Sequence, residues 1–281
     1  MIALYVVLAI QTKNKSRLDS KVFYRFLIIY LVLSFGFLAL EHTHMLIGDR
    51  YIGFTGSPTT FAGILVTAYI LWDRTQESAG LVRLIMYGLV FFLVVLSKTR
   101  LVIIFFVLYP LLIFIIKKKA LKYSSLFLTF FGVLFFLYPL YDIVVKQFPQ
   151  LITMRYEDAR DASFGLRYYL YQLVFNDFSE GNLIEMFFGS GNEASRLEVL
   201  SETEKDLFPH NDFIRVINDW GIMASILFFI FLYRISKKNL TALMIGILYL
   251  ILFYSNMVFN LFMMSVLMIS YFYGGNEKKL I

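Results

Sequence analysis

The 281 residues are 59% apolar and only 16% charged, with 19% aromatics and a mean hydropathy of +0.70, which excludes a water-soluble enzyme and makes the bilayer the solvent for most of the chain. The absence of cysteine excludes a disulfide framework, thiolate metal sites and a Cys nucleophile. A formal net charge of +6 invites a nucleic-acid reading, but in membrane proteins basic residues chiefly report topology, so their placement decides more than their sum.

In chain order, 1–10 is apolar yet only half a span. It lacks the basic n-region and small-residue cleavage site of a signal peptide and reads as the tail of a span cut off by the chain start. Apolar runs follow at 22–40, 59–72, 84–96, 101–116, 124–141, 213–233, 240–254 and 257–273, giving eight candidate spans. Several are shorter than the ~20 residues that cross a bilayer upright, so their ends must be buried by flanking polar residues or neighbouring helices. Threaded alternately, the loops 11–21, 73–83, 117–123, 234–239 and 274–281 share one side and carry 15 of the 26 Lys and Arg, including Lys117, Lys118 and Lys119. Loops 41–58 and 97–100 carry three: Arg50, Lys98 and Arg100. The positive-inside rule then puts the first set in the cytoplasm, with both chain ends there when the partial first span is counted as entering from outside.

One stretch breaks this pattern of tight hairpins. Residues 142–212 hold 6 basic and 13 acidic side chains, too long and too polar for a connector, with periodicity for short helices around 166–178 and 193–207. The negative balance of this stretch disfavours nucleic acid, and long loops cross a membrane regardless of charge, so it is placed outside. The expected architecture is an all-α integral membrane protein: a polytopic helical bundle of about eight spans plus a partial first span and one large external helical loop. Its parts are membrane spans in 1–141, the periplasmic or extracellular loop subdomain in 142–212, and carboxy-terminal spans in 213–281.

No Gly-rich phosphate loop with Lys, no His-Glu-x-x-His and no Ser elbow is present, and there are only three histidines. His42 and His44 lack an acidic or Cys companion, so they read as interfacial polar residues and no metal site is expected. Ionisable groups near hydrocarbon are costly and point to function, which singles out Arg50, Arg100, Arg167 and His210. Arg50 stands among Gly48, Gly53, Gly56, Ser57 and Pro58, which interrupt helix; the alternative is an interfacial anchor paired with Asp49. Arg100 closes Ser97-Lys98-Thr99-Arg100 between two short spans, where plain snorkelling is the alternative. Arg167 precedes an amphipathic helix and on sequence alone reads as solvated. The turn Gly189-Ser190-Gly191-Asn192 is either a close backbone approach or an ordinary loop turn.

Pro209-His210-Asn211-Asp212 starts an apolar helix, so helix capping competes with a chemical role, although capping needs no His. Asn211, Arg215, Asn218 and Asp219 recur at spacings of three and four, a polar stripe that should face protein; intrahelical pairing of Arg215 with Asp212 and Asp219 is the plain account of those three.

The order of Arg50-Tyr51-Ile52-Gly53-Phe54-Thr55-Gly56-Ser57-Pro58, then Ser97-Lys98-Thr99-Arg100, then Gly165-Leu166-Arg167-Tyr168-Tyr169 and Phe188-Gly189-Ser190-Gly191 in one large loop, then His210-Asn211 before a helix with Trp220-Gly221, resembles the O-antigen polymerase and O-antigen ligase superfamily. The resemblance covers roughly residues 48 to 255, and it implies that amino-terminal spans usual in the family are absent here. It implies a membrane glycosyltransferase of the GT-C type, in the bacterial inner membrane, that uses an undecaprenyl-diphosphate glycan at the outer face with no cofactor and no metal. On that reading His210 is the catalytic base, and Arg50, Arg100, Arg167, Asn211 and Asp212 bind the diphosphate or glycan. Arg suits phosphate through permanent charge and bidentate contacts, and His suits proton removal near neutrality.

Expected partners are the lipid-linked donor, an acceptor and the bilayer, with room for a chain-length regulator protein and none for nucleic acid. Richness in Lys, Phe, Ile and Asn favours a polymerase of lipid-linked repeat units into O-antigen or capsular polysaccharide. The alternatives are a ligase acting on lipid A core or protein, and, from a different class, a non-enzymatic flippase or export component.

Overall fold

The structure, a computed structural model, describes residues 20–39, 46–47, 50–53, 55, 57–75, 80–118, 122–137, 139–140, 143, 147, 162–204, 211–253 and 266. Among them are ten helices: α1 (Ser20–Ala39), α2 (Pro58–Thr75), α3 (Gly80–Leu96), α4 (Arg100–Lys117), α5 (Tyr123–Phe135), α6 (Ala162–Glu180), α7 (Leu183–Phe188), α8 (Ala194–Thr203), α9 (Asp212–Ser236) and α10 (Leu240–Leu252). A short antiparallel pair, β1 (Leu46–Ile47) and β2 (Arg50–Tyr51), sits between α1 and α2 in the chain. Two helices, Arg100–Lys117 and Asp212–Ser236, are long and apolar enough to cross a membrane, and four shorter apolar ones accompany them. The half-span 1–10 and the run 257–273 lie outside the described residues.

The described residues form two compact units. The first holds α1 to α4, the β pair, α5 as far as Phe127, the end of α9 from Tyr233, and α10. Its centre is α10, an apolar helix of which every residue is buried. It packs on α2 and α4, and α2 in turn packs on α1 and α3. Ser57 and Pro58 start α2, with proline at the first helical position, where its missing N–H would have had no intrahelical partner.

Within α4, Pro110 cannot donate to the carbonyl four residues earlier, that of Phe106. The Tyr87 hydroxyl of α3 donates to that carbonyl at 2.9 Å while its ring stacks on Phe106 at 4.6 Å. In a low-dielectric surrounding such a repair is what makes a helix-interior proline tolerable.

α2 and α3 are longer than the apolar runs that announce them, so Arg74 and Arg83, read as loop residues, belong to helices. Asp73 is buried, lies 2.7 Å from the Arg83 guanidinium, and accepts the Tyr109 hydroxyl at 2.7 Å. A carboxylate counted as part of an inner loop is thus an interior partner.

The second unit holds α5 from Leu128, then α6, α7, α8, α9 as far as Leu232, and Phe253. α6 packs against α7 and α8. Phe213 of α9 meets Phe253 at 4.8 Å, and Phe229 meets Phe131 of α5 at 4.9 Å, edge to face. The helices expected around 166–178 and 193–207 are α6 and α8. α6 begins one turn earlier than expected, so Arg167 lies within the helix, not ahead of it.

The Pro110 repair is open to test. Tyr87→Phe should destabilise the folded protein by about 1 to 3 kcal/mol, the cost of leaving a buried carbonyl without a donor. In a Pro110→Ala background, where residue 110 regains its N–H, the same substitution should cost clearly less. Equilibrium unfolding of the four variants in mixed micelles reads the coupling; equal costs in both backgrounds contradict it.

Candidate functional site

In the first unit the chain between α1 and α2 is pinned by Tyr51. Its ring meets Phe61 edge-on at 5.0 Å and its hydroxyl donates to the Ser34 carbonyl at 2.7 Å. Gly53, at φ +53°, follows where any Cβ would enter the Phe61 ring, so only glycine fits. With Tyr51 turned inward, its neighbour Arg50 is directed to the α3–α4 turn. The Arg50 Nε donates to the Ser97 carbonyl at 3.1 Å and Nη2 to Thr99 Oγ1 at 3.5 Å.

The turn itself is tight. Ser97 Oγ donates to the Val94 carbonyl at 2.6 Å, Ser97 and Thr99 are buried, and Lys98 adopts a left-handed φ of +51°. Arg100, exposed, opens α4, whose cap residue Thr99 makes no side-chain capping bond. Two motifs read separately in the sequence are therefore one structure: Arg50 is bonded to the turn that carries Lys98 and Arg100, beside the positive end of a helix.

In the second unit the start of α9 combines a cap with an ion-pair ladder. Asn211 Oδ1 accepts the Phe213 N–H at 2.9 Å. Asp212 lies 3.3 Å from the Arg215 guanidinium, and Arg215 Nε lies 3.7 Å from Asp219. The stripe residues Asn211, Arg215, Asn218 and Asp219 are all buried, as is Asp212, so the stripe does face protein. His210 lies outside the described residues, as do His42 and His44 and the side chain of Arg167. The structure thus gives the anchor of the helix that His210 precedes and the helix that carries Arg167.

α9 is not one continuous rod. Gly221, at φ +79° and ψ +169°, breaks it into 212–220 and 222–236. The break frees the carbonyls of Asn218 and Asp219, which accept the N–H groups of Ser190 at 2.9 Å and Gly191 at 3.2 Å. The Gly189–Gly191 turn is pressed into the break: a Cβ on Gly189 would strike the Asp219 carbonyl and Trp220, and one on Gly221 would strike the Phe187 carbonyl. The turn is therefore a close backbone approach rather than a plain loop.

The same two α9 residues hold the other helices of the unit. Asp219 Oδ1 accepts the Ser195 N–H at the start of α8 at 2.9 Å, and Asn218 Nδ2 donates to Asp177 of α6 at 3.0 Å. Partial burial pushes the Glu198 carboxyl above its ordinary range, with Asp177 and Glu202 adding to the shift.

A protein-family model described as O-antigen ligase matches residues 85–229, more than half of the chain. The chain belongs to the O-antigen ligase family. Members of this family are membrane proteins that transfer lipid-linked glycans, and the match runs from within α3 to beyond the break in α9. It includes Arg100, Arg167, His210, Asn211, Asp212, Gly189 and Gly221; Arg50 lies outside it and reaches it through Ser97 and Thr99. No curated protein and no solved structure matches the chain.

Sequence reasoning did not single out Asp177 and Ser195. No local pattern marks them, since each is defined by a partner 24 or 41 residues away in α9.

The interlock predicts a ranking of glycine substitutions. Gly189→Ala and Gly221→Ala combine left-handed strain with backbone collision and should cost about 3 kcal/mol or more, seen as lost membrane abundance and a lower Tm. Gly191→Ala meets open space and should cost only the strain of its φ of +110°. Gly36→Ala, in the interior of α1 with nothing near, should be neutral or stabilising.

Proposed function

We propose that this chain polymerises undecaprenyl-diphosphate-linked oligosaccharide repeat units into O-antigen or capsular polysaccharide, as a metal-independent inverting glycosyltransferase at the outer face of a bacterial inner membrane. The layout that goes with this reading is about eight spans, with both ends cytoplasmic, spans in 1–141 and 213–281, and 142–212 as the external loop. The observation that carries it is the bonding of Arg50 to the Ser97-Lys98-Thr99-Arg100 turn, which concentrates cationic groups and a helix N-terminus at one end of the first unit. A departing diphosphate needs such charge, and fixed guanidinium groups supply it without reorganising during reaction. Arg167 is the third cation assigned to the diphosphate or glycan.

The reaction assigned to these residues is a single displacement. His210 takes the proton from the acceptor hydroxyl as that oxygen bonds to the anomeric carbon, and the bond from the anomeric carbon to the phosphate oxygen breaks on the opposite face. Undecaprenyl diphosphate leaves with the electron pair, stabilised by Arg50, Arg100 and Arg167, and the anomeric configuration inverts. Asn211 and Asp212 are assigned to the diphosphate or glycan as well, from a helix start that Asn211 caps and that Asp212 ties to Arg215. In this reading the partners are the glycan donor, a second repeat unit as acceptor, and a chain-length regulator.

Ligation to lipid A core or protein is the second reading, favoured by the description of the matching family as O-antigen ligase. The two share donor and displacement and differ in the acceptor.

In membranes supplied with a lipid-linked repeat unit and excess EDTA, the wild-type chain should form polymer, and His210→Ala should lower the rate by about 10²- to 10⁴-fold at unchanged abundance. Asn211→Ala should act differently, through a stability loss of about 0.5 to 2 kcal/mol visible as reduced abundance. Normal polymer from His210→Ala would overturn the assignment, and product only when lipid A core is added would select the ligase.

A further inference from the structure

α7 is a short helix with a firm start. Asn182 Oδ1 accepts the Glu185 N–H at 3.0 Å, and Glu185 Oε2 accepts the Asn182 N–H at 3.1 Å, a complete capping box. Among the described residues it packs chiefly on α6, and although Met186 is half-buried no α7 residue is fully buried. Leu183 and Ile184 are 73% exposed, Phe188 69% and Phe187 46%. An external loop in water would turn such side chains inward, and a contiguous apolar surface of this kind marks a surface that something else covers.

The position of α7 in the second unit identifies the cover. Its carboxyl end is fixed at the break in α9, where the Phe187 carbonyl and Gly189 abut Gly221. Beyond Gly221, residues 222–233 include no charged side chain, and Met223, Ile226, Leu227 and Ile230 are exposed as a lipid-facing surface would be. That half of α9, 222–236, rises only about 22 Å, short of the ~30 Å hydrocarbon thickness. Residues 212–220 turn Asp212, Arg215 and Asp219 into protein. At the level where the apolar half of α9 ends, α7 supplies the next apolar surface.

We infer that α7 lies in the bilayer at the headgroup–acyl boundary, with Leu183, Ile184, Phe187 and Phe188 in phospholipid acyl chains and the Gly189–Gly191 turn at the membrane surface. The inference extends the proposed function without depending on the reaction or on which face is external. A segment of the polar loop then belongs to the membrane, at the level where a lipid-linked substrate presents its headgroup.

Because the chain has no cysteine, single reporters are clean. Leu183→Cys, Ile184→Cys and Phe188→Cys, with Asn192→Cys in the exposed turn as control, are to be nitroxide-labelled in the full chain in phosphatidylethanolamine–phosphatidylglycerol nanodiscs. Collision with oxygen and with a water-soluble nickel chelate is then measured. The expected result is high oxygen and low nickel access at 183, 184 and 188, and the reverse at 192. Nickel access at all three α7 sites equal to that at 192 would overturn the inference. So would low access to both reagents, which means cover by protein, or oxygen access that appears only on adding an isoprenoid phosphate, which means a substrate-tail groove. A variant that does not assemble drops out, and the remaining α7 sites decide.

Discussion

A break in a helix leaves carbonyls without their helical donors, and much of the second unit is arranged around one such break. Gly221 ends the first half of α9, and the freed carbonyls of Asn218 and Asp219 accept the N–H groups of Ser190 and Gly191. Each unmet bond of this kind costs about 1 to 3 kcal/mol, so the turn cannot leave without leaving both sides deficient. The side chains of the same two residues hold Ser195 of α8 and Asp177 of α6. α6, the end of α7 and the start of α8 are thus fixed to two consecutive positions on α9, the helix whose start Asn211 caps just after His210.

The first unit shows the same physics with other chemistry. Pro110 deprives Phe106 of its helical donor and Tyr87 replaces it; the turn between α3 and α4 forces Lys98 into a left-handed backbone and Arg50 ties that turn down. Irregular backbone in low dielectric persists only where something repairs it. Here the repair of the 97–100 turn is made by a guanidinium, so the group that stabilises the turn is also one that suits a phosphate.

Much of this was legible in the sequence because it depends on local pattern. Apolar runs mark the helices of the first unit and the spacing of Asn211, Arg215, Asn218 and Asp219 marks a buried stripe, whereas the glycines at 189 and 191 fit an ordinary loop turn as well as the close approach found. What stayed hidden is what depends on partners or on averages. Gly221 sits in an apolar run, and hydropathy over a window does not register a φ of +79°, so 213–233 reads as one span. α7 has six residues, fewer than two turns, too few for periodicity to show. Asp73 looks like a loop residue until α2 and α3 are seen to extend beyond their apolar cores and Tyr109 to reach it.

Amide hydrogen exchange across 189–192 in the wild-type chain tests the interlock at Gly221 most directly. Ser190 and Gly191 belong to an exposed turn, yet both donate to carbonyls of α9. With both bonds in place these two amides should exchange orders of magnitude more slowly than unprotected amides. Exchange of both at the rate of an unprotected chain would contradict it.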